Sequence, residues 1–215
     1  MSVFVIGEIG VNHGGNLQTA RDLVVAARHA GASAVKFQLF RDRPEIEHLR
    51  LSEQDIRHLS EYCQKLGIEF MCTPFYLEAV AFLDPLVKRH KLASGWQRDR
   101  AIFDAAVATG KPVIASLGLG GFFPSSPNVS YLHCVSKYPC PDNEADLYKV
   151  RALDGYSDHT VGTLACVAAV AMGAQIIEKH ITLDKTAVGP DHSCSAEPDE
   201  FANMVKQIRR LEVML

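Results

Sequence analysis

No run of apolar residues in this chain approaches the ~20 needed to span a bilayer. The N-terminal stretch MSVFVIGEIG is too short for a secretory leader and has no basic residues ahead of its apolar run. No membrane partner is expected, and the expected location is cytoplasmic. Paired cysteine spacing is missing too. The six cysteines, at 63, 72, 134, 140, 166 and 194, have neither zinc-ribbon nor redox spacing, and several fall in apolar runs, which suits a reduced protein. Charge of one sign is not in excess. With a formal charge of -3, no nucleic acid or other polyanion is expected as a partner, so any anion site must be local. No Gly-x-Gly-x-x-Gly follows the first apolar run. The GLGG at Gly118–Gly121 is only a short likeness of a phosphate loop and no helical segment follows it. Repeats, low-complexity tracts and linkers are also absent, so one domain over residues 1–215 is expected.

What is present is a regular alternation. Short apolar runs at Val3–Ile9, Ala34–Gln38, Glu69–Thr73, Lys91–Ser94, Val113–Ser116, Ser130–Cys134, Gly155–Ser157 and Gln175–His180 read as strands. Helical segments are predicted between them at Leu17–Ala30, Glu53–Leu66, Leu77–Leu83, Arg100–Thr109, Glu144–Ala152 and Leu164–Met172, and a last one from about Asp199 to Met214. Gly31, Gly67, Gly110 and Gly173 stop helices, and Ser52 is placed to cap one. Strands alternating with helices pair in parallel. Eight such units point to an α/β fold of the (β/α)8 TIM-barrel type, an open doubly wound sheet being the alternative. The stretch LGLGGFFPSSPN after the fifth strand leaves no room for a helix, so a loop is expected to replace the fifth one.

Barrel sites lie at the C-terminal ends of the strands. Those ends carry Glu8, Lys36 with Gln38, Thr73, Lys91 with Ser94, Ser116, Ser136, Ser157 with His159, and Glu178 with His180. Lys36 and Lys91 among serine and threonine hydroxyls would make a compact site for a phosphate or carboxylate. Each histidine alone suits a hydrogen-bonded core or surface role, and each lysine a place on the rim. As a pair on neighbouring strand ends, His159 and His180 suit a divalent metal held through neutral imidazole.

The segments IGEIGVNHGG, AGASAVKFQ, FMCTPF, KLASG, TGKPVIASLG, YLHCVSKYP, GYSDHTVG, IIEKHITLD and GPDHSCSAEPDEF resemble, in order and spacing, the sialic acid synthase family. The resemblance covers essentially the whole chain. It implies condensation of phosphoenolpyruvate with a sugar or amino-sugar aldehyde to give a 2-keto-3-deoxy (nonulosonic-type) acid and phosphate. It further implies that Lys36, Thr73, Lys91, Ser94, Ser116, Ser136 and Ser157 hold phosphoenolpyruvate. Gln38, Tyr138 and Asp191 face the sugar, Glu8 lies near the reacting centre, and His159 and His180 bind a divalent metal, usually manganese, with magnesium or cobalt as alternatives. The sequence departs from the family at Trp96, where an acidic residue is usual. It is also short between Arg41 and Leu51, and it ends without the family's C-terminal antifreeze-like domain.

Two other readings remain open: a Schiff-base aldolase using Lys36 or Lys91, and a non-catalytic barrel that binds a phospho-ligand. A homodimer is expected, with Phe122 and Phe123, the one unexplained apolar surface in the sequence, closing a lateral interface, a partial lid over the barrel mouth being the alternative.

Overall fold

The computed structural model describes residues 2–119 and 126–215, with the side chains of all of these except Gln97 and Arg98. Eight parallel strands form one sheet in the order β3-β2-β1-β8-β7-β6-β5-β4. They are β1 Phe4–Gly10, β2 Ala34–Leu39, β3 Glu69–Pro74, β4 His90–Leu92, β5 Val113–Ser116, β6 Val129–Cys134, β7 Gly155–Asp158 and β8 Ile176–His180. The outermost strands, β3 and β4, lie against each other, so the sheet curls into a nearly closed barrel. The helices are α1 Leu17–His29, α2 Glu53–Leu66, α3 Leu77–Leu83, α4 Arg100–Ala108, α5 Leu164–Ala171 and α6 Pro198–Glu212. Among the described residues, no helix is long and apolar enough to cross a membrane.

Strand periodicity explains how the barrel is filled. Ile6, Ala34, Met71, Ile114 and Leu132 form a buried apolar cluster inside it, with Ile176 packed against them. Two residues further along each strand stand Glu8, Lys36, Thr73, Ser116, Cys134 and Glu178, and these line the mouth. The same inward face is therefore apolar low in the barrel and polar at its C-terminal end. Outward residues such as Val5, Val35, Phe37, Cys72 and Ile177 join α1, α2, α5 and α6 in the main core. All six cysteines are free and buried.

Two expectations change. The helix expected over Glu144–Ala152 is instead a pair of 3-10 turns, Asp142–Glu144 and Leu147–Ala152. Asp146 between them has φ +45°, which interrupts any α-helical hydrogen-bond run. Strand β4 ends at Leu92, and Ser94 opens a 3-10 turn, Ser94–Arg98. Half of the segment 117–128 that was expected to replace the fifth helix, including Phe122 and Phe123, lies outside the described residues.

Candidate active site

The mouth is a cavity of about 400 Å³. Every site residue expected from the sequence lines it: Glu8, Lys36, Gln38, Thr73, Lys91, Ser94, Ser116, Ser136, Tyr138, Ser157, His159, His180 and Asp191. They meet there because adjacent strands are in register. Glu8 pairs with Lys36 on one side and with His180 on the other. Gln38 stands beside Thr73, and Ser157 beside Glu178. A bulge after Glu8, with Gly10 at φ +55°, turns the chain above β1. A Cβ on Gly10 would lie 3.2 Å from Glu8 Oε1 and from Asp191 Oδ2, so glycine lets these carboxylates approach the same point.

Two buried ion pairs form the floor. Lys36 Nζ lies 2.9 Å from Glu8 Oε2 and donates to Thr73 Oγ1 at 3.1 Å. Gln38 Nε2 donates to Glu8 Oε1 at 3.1 Å. Lys91 Nζ donates to Ser116 Oγ at 2.9 Å and to Leu92 O at 3.2 Å, and lies 3.5 Å from Glu178 Oε2. Ser157 Oγ donates to Glu178 Oε1 at 2.9 Å. On the next wall Ser94 and Ser136 share a hydroxyl hydrogen bond of 2.7 Å. The loop backbone at Gly118 passes over this pair so closely that a Cβ would fall 2.2 Å from Ser136 Oγ.

Burial and these contacts divide the charges unequally. Burial pushes the Glu8 carboxyl up to about 7, against the pull of Lys36. Glu178 is buried as well, yet Lys36 and Lys91 outweigh that and hold it below the ordinary glutamate range. Burial works against a charged Lys36, but Glu178 and Glu8 more than compensate and its pKa is raised. Burial lowers that of Lys91, with Glu178 partly opposing. Lys36 and Lys91 therefore face Glu178, whose charged form they favour, and Glu8, which is half protonated near neutrality. The floor carries spare positive charge for an anion.

The histidines stand beside this floor, with ring centres 5.6 Å apart. His159 Nδ1 lies 2.6 Å from the Val135 carbonyl, which can only accept, so Nδ1 carries the hydrogen and Nε2 keeps its lone pair. His180 Nδ1 is buried with no hydrogen-bond partner, 3.8 Å from Asp191 Oδ2. Burial lowers both imidazole pKa values, and for His180 the His159 ring and nearby lysines lower it further. Burial also pushes Asp191 up to about 6. The Tyr138 ring covers the pair, with centre distances of 4.1 Å to His159 and 6.0 Å to His180. Neutral imidazoles with an unpartnered buried nitrogen are a donor set that fits a first-row divalent cation. Among the described residues no three His, Cys, Asp or Glu side chains converge as a complete ligand set, so such an ion would rely on these two and on oxygen from substrate or water.

The NeuB family profile matches residues 43–215. The chain belongs to the NeuB family. It is 37% identical to the N,N'-diacetyllegionaminic acid synthase of Legionella pneumophila, over 100% of this chain and 74% of that protein. It is 32% identical to the human N-acetylneuraminate-9-phosphate synthase, over 97% of this chain and 70% of that one. Among solved structures, the N-acetylneuraminic acid synthetase of Leptospira borgpetersenii superposes with a TM-score of 0.91 at 32% identity, covering 100% of this chain and 85% of that one. The Legionella alignment runs over 262 positions, more than the 215 residues here, so that relative carries segments this NeuB-family chain lacks.

Trp96 has turned away from the mouth of this NeuB-family barrel. Its ring is buried, stacks on Phe103 at 4.4 Å between centres, and donates Nε1–H to Ser116 O at 3.1 Å. Gly95 lines the cavity in its place. Sequence reasoning noted Glu178 as a strand end but gave it no role, although its period-two spacing from His180 placed it in the mouth. It missed Arg43 and Phe75, which line the outer mouth with the Arg43 guanidinium 4.5 Å over the Phe75 ring. Nothing in their spacing marks them, because they sit on loops.

Proposed function

We propose that this chain condenses phosphoenolpyruvate with a sugar or amino-sugar aldehyde, giving a 2-keto-3-deoxy acid and phosphate. The observation that carries the reading is the floor of two buried lysines and hydroxyls set directly against a neutral histidine pair. Lys36 and Lys91 hold the anionic groups of phosphoenolpyruvate, with Thr73, Ser94, Ser116, Ser136 and Ser157 as hydroxyl partners. Gln38, Tyr138 and Asp191 face the aldehyde substrate. His159 and His180 would hold the divalent cation, manganese by preference, which supplies Lewis-acid polarisation of the aldehyde oxygen when bound.

The methylene carbon of phosphoenolpyruvate forms the new bond to the aldehyde carbon with the electron pair of its double bond, and the aldehyde oxygen takes up a proton. Water then adds to the phosphate-bearing carbon left electron-poor by that step, losing its proton, and phosphate leaves as the ketone forms there. Glu8, with a pKa of about 7, can give or take a proton at working pH. The Schiff-base alternative needs a free, uncharged amine, whereas both lysine amines are enclosed by acceptors. The buried free cysteines support work in a reducing compartment such as the cytoplasm.

The test is a panel of aldoses and amino sugars with phosphoenolpyruvate and Mn²⁺, scored by phosphate release. Release that needs both substrates and is abolished by a chelator is expected. Chelation should leave thermal melting nearly unchanged, since two protein ligands do not build the barrel. Borohydride trapping of substrate on a lysine would establish the aldolase instead. Phosphoenolpyruvate binding without turnover of any acceptor would establish a binding protein.

A further inference from the structure

A buried ion pair sits in the barrel wall directly behind the two histidines. Asp158 ends β7 and pairs in register with Lys179 on β8. Both are excluded from solvent, and Lys179 Nζ donates to Asp158 Oδ2 at 2.7 Å. They point away from the mouth, because the preceding residues, Ser157 and Glu178, point into it. Neighbouring outward positions such as Val5, Val35 and Ile177 are apolar. An ion pair in such a wall is often no more stabilising than well-packed apolar residues, so stability alone does not account for this one.

What the pair does is geometric. Asp158 Oδ1 accepts from Thr160 N at 3.0 Å and from Thr160 Oγ1 at 2.9 Å, closing a turn around His159. Lys179 Nζ also donates to Thr160 O at 2.6 Å, which ties the far side of that turn to β8 one residue before His180. Tyr156 OH and Cys166 Sγ donate to the same carboxylate, at 3.1 and 3.5 Å, and hold it against α5. The backbone around each histidine is thus fixed to the other by one clamp.

We propose that Asp158 and Lys179 are positioning residues that set the spacing of the His159 and His180 rings, and through it the affinity of the pair for a divalent cation. This rests on the reading of those histidines as ligands. With only two protein ligands, a single ion bridges them only if both nitrogens are aimed at one point. The contact of Val135 O with His159 Nδ1 orients one ring but does not link it to β8.

The test uses the full chain with Asp158→Asn and Lys179→Met together, a neutral pair that leaves no lone buried charge. Mn²⁺ binding is followed by its paramagnetic resonance signal, alongside thermal melting and a crystal structure of the variant. The double variant is expected to melt within about 4 °C of the parent and to bind Mn²⁺ roughly 10–100-fold more weakly. Thr160→Ala, which keeps both charges and loosens the turn, is expected to weaken Mn²⁺ roughly fivefold, and it decides the matter if the double variant does not fold. Parent-like Mn²⁺ affinity in the folded variants overturns the proposal. If the parent itself binds no Mn²⁺, the ligand reading has failed and ring spacing alone decides: centres still 5.6 Å apart in the variant overturn the positioning role.

Discussion

Lys36 and Lys91 are the residues on which the floor of the mouth depends. Each neutralises a buried carboxylate, and each has its hydroxyl partner across a strand. Replacing either with Met removes a charge-assisted contact of roughly 1.5–3 kcal/mol, so phosphoenolpyruvate should bind at least about tenfold more weakly by calorimetry. If both Met variants bind like the parent, the anion site lies elsewhere. His13 matters for stability and lies outside the mouth. It is buried, and its Nδ1 accepts from Gly15 N at 3.0 Å, a contact that protonation would abolish. Burial pushes its pKa from 6.5 to about 4. The unfolded chain therefore binds this proton first, and stability falls as pH drops from 6.5 towards 4 and levels off below. At about 1.4 kcal/mol per pH unit the loss approaches about 3.5 kcal/mol. Between pH 7.5 and 4.5, urea melts should show His13→Gln losing about 2 kcal/mol less than the parent; equal losses would show that His13 is not the group responsible.

Among the elements, α2 shows how completely local chemistry can set a boundary. Ser52 accepts from Asp55 N at 3.1 Å while Asp55 Oδ2 accepts from Ser52 N at 3.0 Å, a reciprocal capping box. Gly67 ends the helix at φ +71°, where a side chain would be strained. Ile56, Leu59 and Cys63 form its buried stripe. Ser52→Ala should cost about 1 kcal/mol, lowering the melting temperature by roughly 2–4 °C with substrate affinity unchanged. A melt that does not move would mean that the cap is redundant. Where tertiary context competes, local reading fails. The Glu144–Ala152 segment has helical composition, yet Asp146 adopts φ +45° and the helix breaks into two short turns.

For the molecule as a whole, a homodimer is the expected state. Two phenylalanines, Phe122 and Phe123, in a glycine- and proline-rich segment are the proposed association surface, on sequence grounds. They lie outside the described residues, and the notion that they are the one unexplained apolar surface needs correcting. Tyr148, Val161 and Leu164 are exposed at 72%, 61% and 81% along a groove between the second 3-10 turn and α5. A Phe122→Ser/Phe123→Ser variant should be monomeric by light scattering. A dimer that persists removes the two phenylalanines from the interface, and a parent that is itself monomeric ends the dimer proposal.

The sequence by itself determined the eight strands, six of the helices around them and, through period two, which residues face inward. Ile6 before Glu8, Ala34 before Lys36 and Met71 before Thr73 already distinguish an apolar barrel floor from a polar mouth. The motif order around the two histidines carried the family. The tertiary structure decided which of these groups are neighbours, since periodicity assigns a face and not a partner. Only the ladder register brings Glu8 to Lys36 and Glu178 to Ser157, and only the curling of the sheet brings Glu178 on β8 across the mouth to Lys91 on β4. The same register places Asp158 on Lys179 behind the histidines. Trp96 turns to Phe103 because an indole buries more apolar surface in that wall than in a wet, charged mouth.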